Sequence, residues 1–339
     1  MTSTAKRREV LIGIGLTALT ACAPSYPPRG RSVAEGDKTP LERPAEGGVG
    51  GTGIVGILNG AGSLLINGLR VLTPRDVPLR DAFGPVRLDQ LAIGHALTVE
   101  AVEDTGNALV ARSVSVVHPL IGPIEAVTDE GFRCLGVSVA IESGIPMVGR
   151  DGATFAPAVG QRVAVSGLWR GDNVVASRID VLETTERRDV IAGEIKPGPE
   201  GSLRLGALEL ALPAGTAVPP IGSFVTAVGR REGTRLVALR LEEGRFQGLA
   251  GPLQRLSVEG YLENIAAAPG YAISGLGHSF DSAAQLAELA ERRTLFVGSY
   301  DGTFKVDHGL PLPEGIADRR ALLIGIEDGF APAAALPTR

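Results

Sequence analysis

Cysteine, histidine and aromatic residues are all scarce in this chain of 339 residues. Two cysteines allow at most one disulfide, so a disulfide framework cannot define the fold. The four histidines lack the i, i+4 spacing of a helical metal site, and neither a metal nor another cofactor is predicted. An aromatic content of 4% leaves little surface for stacking nucleic-acid bases.

Basic residues do not outnumber acidic ones, and the net charge is −5. Because nucleic-acid binding draws mainly on Lys and Arg, no nucleic-acid partner is predicted. A catalytic motif is also missing from the sequence. His278, Ser279 and Asp281 are close together, but the members of a catalytic triad converge through the fold rather than through neighbouring positions. The chain is therefore not predicted to be an enzyme.

The longest mainly apolar run covers residues 10–21, shorter than the roughly 20 residues that a membrane-spanning helix needs. It follows the basic residues 6–8, which is the layout of a secretory signal peptide. The run ends in Leu19-Thr20-Ala21-Cys22, which resembles the bacterial lipobox. That resemblance implies a lipoprotein signal peptide over residues 1–21 and a lipid on the thiol of Cys22.

The lipobox resemblance implies that Cys22 carries acyl groups such as palmitate. Two or more acyl chains are enough to hold a protein stably on a membrane, so we expect a stable lipid anchor. Ala23 after the cysteine resembles the sorting signal of outer-membrane lipoproteins in Gram-negative bacteria. We therefore expect a cell-envelope lipoprotein on the outer membrane, facing the periplasm. Residues 7–11 also resemble a twin-arginine signal, so Sec and twin-arginine export both stay open.

Glycine and proline are abundant, at 46 and 23 residues, and indicate many turns between short elements, as in all-β domains. Residues 22–51 combine Pro, Gly and charge without apolar periodicity and are predicted to form a disordered tether. As a flexible coil, the tether would span about 30 Å on average.

The remaining sequence is predicted to repeat one unit. Each unit contains an apolar–Gly pair and a final strand with an alanine. These landmarks are Gly94, Gly160 and Gly222, and Ala111, Ala176 and Ala238. Both series advance by 62 to 66 residues, so two independent features support the repeat. The predicted units are copy one (52–120), copy two (121–186), copy three (187–249) and copy four (254–330).

Each copy is predicted to consist of short strands, because apolar residues alternate with other residues, as in 163–166. Turn signals separate the strands at Asn67-Gly68, Gly171-Asp172 and Asp301-Gly302. Four or five strands in about 60 residues suit a small barrel. We predict an all-β chain of tandem OB-like β-barrels that dock in a rod-like array, since one such barrel is marginally stable alone. In copy four, a capping box predicts a short helix at about 283–293.

Four strand types recur in order: a Gly–apolar strand, a strand with the turn Ile66-Asn67-Gly68, an apolar–Gly strand, and a final strand containing Ala-Arg. This order resembles the uncharacterised bacterial domain-of-unknown-function family 5666, closely over residues 53–248 and loosely over 256–312. The resemblance implies tandem OB-like barrels in a secreted protein or lipoprotein. It supplies no catalytic residues.

Four residues are candidates for ligand binding. Arg112, Arg178 and Arg240 occupy the last strand of successive copies and would form a row that contacts an anionic ligand; the alternative is three solvated positions. Trp169 is either an exposed stacking platform for sugar rings or a residue packed against the adjacent barrel. Cys134, within the segment FRCLGVSVAI, is predicted to be a buried apolar residue.

These observations together favour a non-enzymatic, membrane-anchored envelope lipoprotein. Its barrels would bind another envelope component, either a protein or a glycan, or serve a structural role. The alternative is a periplasmic accessory protein that binds a small molecule or a metal in copy four, where His278 and His308 would converge.

Overall fold

The computed structural model describes residues 50–183, 185–265, 271–277, 279–282 and 286–325. The predicted signal peptide, Cys22 and the tether up to residue 49 lie outside the described residues, so the lipid anchor stays a prediction. Within the described ranges, no helix has both the length and the apolar character that crossing a bilayer requires.

Strands make up most of the regular structure, and they fall into four groups along the chain. Copy one contains β1 (Gly51–Ala61), β2 (Leu64–Ile66), β3 (Leu69–Leu72), β4 (Leu79–Arg80), β5 (Ala96–Glu103) and β6 (Leu109–Val116). Copy two contains β7 (Leu120–Thr128), β8 (Gly131–Cys134), β9 (Val137–Ile141), β10 (Met147–Val148), β11 (Arg162–Arg170) and β12 (Asn173–Val181). Copy three contains β13 (Asp189–Pro197), β14 (Leu203–Leu205), β15 (Leu208–Ala211), β16 (Phe224–Glu232) and β17 (Arg235–Glu243). Copy four contains β18 (Leu253–Asn264), β19 (Tyr271–Ile273), β20 (Ser279–Ser282), β21 (Arg293–Tyr300) and β22 (Thr303–Pro311), followed by the α-helix α1 (Ile316–Gly325).

In copies one, two and three, five strands close into a ring with one shared pairing scheme. In copy two, β7 pairs antiparallel with β8 and β11, β8 with β9, and β11 with β12, while β9 runs parallel to β12. Copies one and three repeat this scheme. Copy four has the corresponding pairings of β18 with β19 and β21, of β21 with β22, and of β20 with β22 in parallel. A five-stranded Greek-key barrel of this kind is OB-like, so the predicted fold class is confirmed.

A β-bulge at the same place in the fourth ring strand helps each barrel to curve. The bulge lies at Gly167 in copy two, Gly229 in copy three and Gly298 in copy four. A Cβ atom at Gly229 would lie 2.1 Å from the Val237 carbonyl oxygen, and at Gly298 it would lie 1.9 Å from that of Lys305. Glycine is needed at these positions because the partner backbone comes too close for a side chain, whereas the corresponding bulge of copy one accommodates Ala101.

The copies are joined through their first ring strands, and the first and last copies touch. Strand β1 pairs in parallel with β18, which joins copy one to copy four. Strand β7 pairs with β13, and copies two and three share one apolar core. The predicted rod-like array is therefore wrong, because a rod would keep its first and last units apart.

The predicted helix at 283–293 is also wrong over the residues that the structure describes. Residues 283–285 lie outside them, Ala287–Leu289 form one 3-10 turn, and β21 already begins at Arg293. The short turn is sufficient because it buries both Leu286 and Leu289 in the core of copy four. The short helix expected in copy four is instead α1, which follows the last strand.

Candidate functional site

A groove of about 740 Å³ lies on copy two. Its lining comes from β8 and β9, from the β7–β8 turn (128–130) and from the β11–β12 turn (170–173), with Glu291 of copy four. In OB folds, the face of the second and third strands and the loops between strands one and two and between four and five bind oligonucleotides and oligosaccharides. The copy-two groove has this position, and its volume is within the range of about 300–1,000 Å³ typical of ligand pockets.

Side-chain alternation along β8 and β9 shapes the floor of the copy-two groove. The inward side chains are Phe132, Cys134, Val137 and Val139. Arg133 and Ser138 are exposed and lie directly opposite each other across the strand pair. Neither of these two side chains has a hydrogen-bond or ion-pair partner among the described residues. The floor therefore offers one guanidinium and one hydroxyl group to a ligand.

The rim of the groove carries charges of both signs and is bordered by copy four. Asp129 and Glu130 are exposed on the β7–β8 turn. Arg170 Nε lies 3.5 Å from Glu291 Oε2, and the guanidinium of Arg170 lies 5.6 Å from the ring centroid of Tyr261. These contacts to copy four hold the β11–β12 turn in place beside the groove.

The three arginines predicted as a row differ in their contacts. Arg178 forms a bidentate pair with Asp180, at 2.6 and 2.8 Å, and also donates to the carbonyl of Ile93 in copy one at 3.3 Å. Its charge is thus neutralised within the chain, at the contact between copies one and two.

Arg240 likewise reaches copy one, where it donates to the carbonyl of Ala82, and it lies 3.1 Å from Glu242. Arg112 is half-buried, and its side chain has no hydrogen-bond or ion-pair partner in the described part of the chain. Two of the three guanidinium groups therefore hold copies together, and a ligand-binding role for the set stays a prediction.

Trp169 is not an exposed stacking platform, because only 7% of the residue is accessible. The indole Nε1–H donates to the carbonyl of Ala192 at 2.8 Å, and the ring packs on Gly193 and Gly206 of copy three and on Gly275 of copy four. The sugar-stacking hypothesis is therefore wrong for this residue, and the structure favours the alternative of packing against neighbouring barrels.

A second polar cluster lies where copies one and two meet. The rings of His95 and His118 are edge to face, with centroids 6.1 Å apart. His95 Nε2 lies 3.6 Å from Asp180 Oδ2, and His118 Nδ1 lies 3.3 Å from Ser166 Oγ. Burial, and then the charge of His95, lower the pKa of His118 to about 4. Ser166 is 0% exposed, so this serine–histidine contact is closed to a substrate.

No cluster of three or more His, Cys, Asp or Glu side chains that could hold a metal occurs in the described ranges. His278 lies outside the described residues, so a pocket formed with His308 in copy four stays a prediction. Cys134 is buried as expected, and burial raises the pKa of its thiol to about 12.

The sequence analysis did not identify Arg133 and Ser138 as site residues. The signal was present, because Arg133 stands between two apolar residues in FRCLGVSVAI and so had to point away from the core. What was missing was the arrangement of the copies, in which Glu291 of copy four borders this face and the other described residues leave it open.

Tandem OB-like barrels with an open groove define a class of protein with a structural or binding role. The family "Domain of unknown function (DUF5666)" matches residues 121–180, which include the groove floor and the β11–β12 turn. No curated protein matches the chain. Among solved structures, the Drosophila protein "Unr CSD456" is similar over 45% of this chain and 78% of its own, with 13% identity and a TM-score of 0.18. The fold assignment therefore rests on the strand pairings described above.

Proposed function

We propose that this protein is a non-enzymatic binding protein of the bacterial cell envelope, anchored by a lipid on Cys22, and that its copy-two groove holds a segment of another envelope protein. The observation that carries the proposal is the groove itself, on the ligand-binding face of an OB-like barrel, with Arg133 and Ser138, which have no partner within the described ranges, on its floor. The lipid anchor rests on the lipobox resemblance.

The lining of the groove favours a protein segment over a glycan. Charged groups of both signs surround it, and such patterns give specificity through complementary charges on the partner. Among the described lining residues, Phe132 is the one aromatic, and at 1% exposed it offers no ring face to a sugar. Both floor strands already have paired neighbours on either side, so the partner is held by side chains rather than as an added strand.

Site-specific photo-crosslinking in cells tests the proposal. A crosslinker at Ser138 is expected to capture an envelope protein, whereas one at Glu209, the equivalent position of copy three, is not. With the captured protein purified, Arg133→Gln should weaken binding at least tenfold, and Arg204→Gln in copy three should leave binding unchanged. Capture of a glycan by the crosslinker at Ser138 would show that the partner is a glycan and not a protein. Equal capture from Ser138 and Glu209 would refute the assignment of the binding site to the copy-two groove.

Membrane anchoring is tested separately. Cys22→Ser removes the thiol that would carry the lipid, so the protein should move from the membrane fraction to the soluble fraction of lysed cells. Mass spectrometry of the wild-type protein should find an acylated Cys22 at the N-terminus. An unmodified N-terminus would contradict the lipid anchor without affecting the groove.

A further inference from the structure

We propose that a cavity at the junction of copies one, two and four is a binding site for a small oxyanion, such as a carboxylate or a phosphate group. The cavity has a volume of about 100 Å³ and is separate from the copy-two groove. Three arginines line it, Arg293 at the start of β21 and Arg319 and Arg320 on α1. This site does not depend on the proposed function.

Arg293 provides the first indication of a missing ligand. Its side chain is 4% exposed, and its Nε and Nη2 atoms each lie 2.8 Å from Glu259 Oε1. Its Nη1 atom has no hydrogen-bond partner among the described residues, since the nearest carboxylate oxygen, Glu142 Oε2, is 3.6 Å away. Buried donors almost always have an acceptor, so the unpartnered N–H groups indicate that one is to be supplied by a ligand.

The charge balance around the cavity points in the same direction. Glu259 is occupied by Arg293 and by the backbone N–H of Ile57 at 3.1 Å. Glu142 is occupied by Arg319, whose Nη2 atom lies 2.6 Å from its Oε2 atom. Among the described residues, these two carboxylates face three guanidinium groups, which leaves one positive charge without a counter-charge. A partly buried charge without a partner is unfavourable, and a monoanion would neutralise it.

Arg320 is the arginine that remains available. Its Nε atom donates to the carbonyl of Asn59 at 3.0 Å, and no carboxylate pairs with it in the described part of the chain. Guanidinium groups prefer planar oxyanions, which accept two parallel hydrogen bonds. Ile316, the first residue of α1, also lines the cavity, and the N-terminus of a helix attracts negative charge.

The size of the cavity fits a ligand larger than water. One water molecule occupies about 30 Å³ in the liquid, well below the volume found here. Two polar side chains, Asn59 and Ser177, also belong to the lining. The Ser177 hydroxyl already donates to the carbonyl of Gly94 at 2.6 Å, and the Asn59 amide donates to that of Ile57 at 2.8 Å, so the donors offered to an anion are mainly the guanidinium N–H groups. A compact anion such as phosphate or acetate matches this space and this set of donors.

Isothermal titration calorimetry on the whole protein tests the site, with sodium phosphate in one arm and sodium acetate in the other at matched ionic strength. We expect saturable one-site binding in at least one arm, and the stronger arm identifies the oxyanion class. Arg320→Gln should weaken that affinity at least tenfold. Arg150→Gln is the matched control, because Arg150 Nε also donates to a carbonyl, that of Leu182 at 3.0 Å, but does not line the cavity. The affinity of the Arg150→Gln variant for the same anion should stay within twofold of that of the wild type.

Arg293 itself is not substituted, since its loss would leave Glu259 buried without a partner. Absence of saturable binding in both arms, or equal affinity in Arg320→Gln and the wild type, would overturn the proposal. A crystal structure grown in the oxyanion of the stronger arm gives a second measurement. Density for that anion beside Arg293 Nη1 would support the site, and ordered water alone at that position would refute it.

Discussion

Copies two and three have the same ring of strands but use the same face differently. In copy two, the opposed residues on the outer face of the second and third strands are Arg133 and Ser138, whose side chains have no partner among the described residues. In copy three, the equivalent residues are Arg204 and Glu209, and both take part in ion pairs. The two copies therefore share a fold but differ in the ion pairs that the residues on this outer face make.

Docking of copy two on copy three explains the ion pair of Arg204, whereas Glu209 pairs with Arg235 of its own copy. Asp172, on the β11–β12 turn of copy two, lies 3.0 Å from Lys196 and 3.5 Å from Arg204 of copy three. Copy two therefore occupies part of the face of copy three, while its own face stays open. In a tandem array, a copy keeps a binding face only where no neighbour covers it, so identical folds acquire different roles from their positions in the chain.

The largest expected effect concerns the contact between copies two and three. Trp169→Ala should lower the free energy of unfolding by about 3–5 kcal/mol, because it leaves a cavity in the core that both copies share. Urea denaturation followed by circular dichroism measures the change, since the variant lacks the single tryptophan of the chain.

Leu88→Ala is the control for Trp169→Ala. Leu88 is 46% exposed, so its truncation should change the stability by less than about 0.5 kcal/mol. If Trp169→Ala cost no more than this control, docking would not hold the two copies together, and the explanation for their different faces would fail.

Acidification tests the other border of copy two, where it meets copy one at His118. The pKa of His118 is lowered from 6.5 to about 4 by burial and by the charge of His95, so below pH 6.5 the unfolded chain binds a proton that the folded chain does not. The free energy of unfolding is therefore highest above pH 6.5 and should fall by about 3 kcal/mol between pH 6.5 and 4.

Urea denaturation at pH 7.5, 5.5 and 4 measures this fall. His118→Gln should remove most of the pH dependence in this window, whereas His308→Gln, an exposed position in copy four, should retain it. An unchanged pH dependence in His118→Gln would show that His118 is not held neutral at the border of copy two.

Local sequence signals predicted the barrels well. The alternation of apolar residues sets which side of each strand faces the core, and the turn at Asn67-Gly68 is present, with φ values of 55° and 77°. The capping box that begins at Ser282 led to the wrong prediction of a helix at 283–293, because burial of Leu286 and Leu289 needs only one 3-10 turn.

Contacts between copies were not predictable from these signals. The pairing of β1 with β18 joins residues about 200 positions apart, and no local pattern specifies it. For the same reason the sequence did not distinguish Arg133 from Arg204. Both follow an apolar residue at the same place in a strand, and only the docked neighbour supplies Arg204 with its ion-pair partner, Asp172.

A smaller loss of stability is expected on the outer face of copy three, part of which copy two covers. Arg204→Gln removes the ion pair to Asp172, whose side chain is 58% exposed, so the loss of stability should be below about 1 kcal/mol. Urea denaturation measures this loss. Binding of the envelope partner should not change, and weaker binding would place the partner on copy three instead.

The smallest effect on stability is expected at the open face. Arg133 has no partner to lose in the part of the chain that the structure describes, so Arg133→Gln should change the free energy of unfolding by less than about 0.5 kcal/mol, although it weakens partner binding at least tenfold. Urea denaturation and titration of the partner on the same preparation measure both quantities. A stability loss larger than that of Arg204→Gln would mean that Arg133 is already engaged within the chain. The two faces would then be equivalent, and the groove would lose the free guanidinium on which its assignment depends.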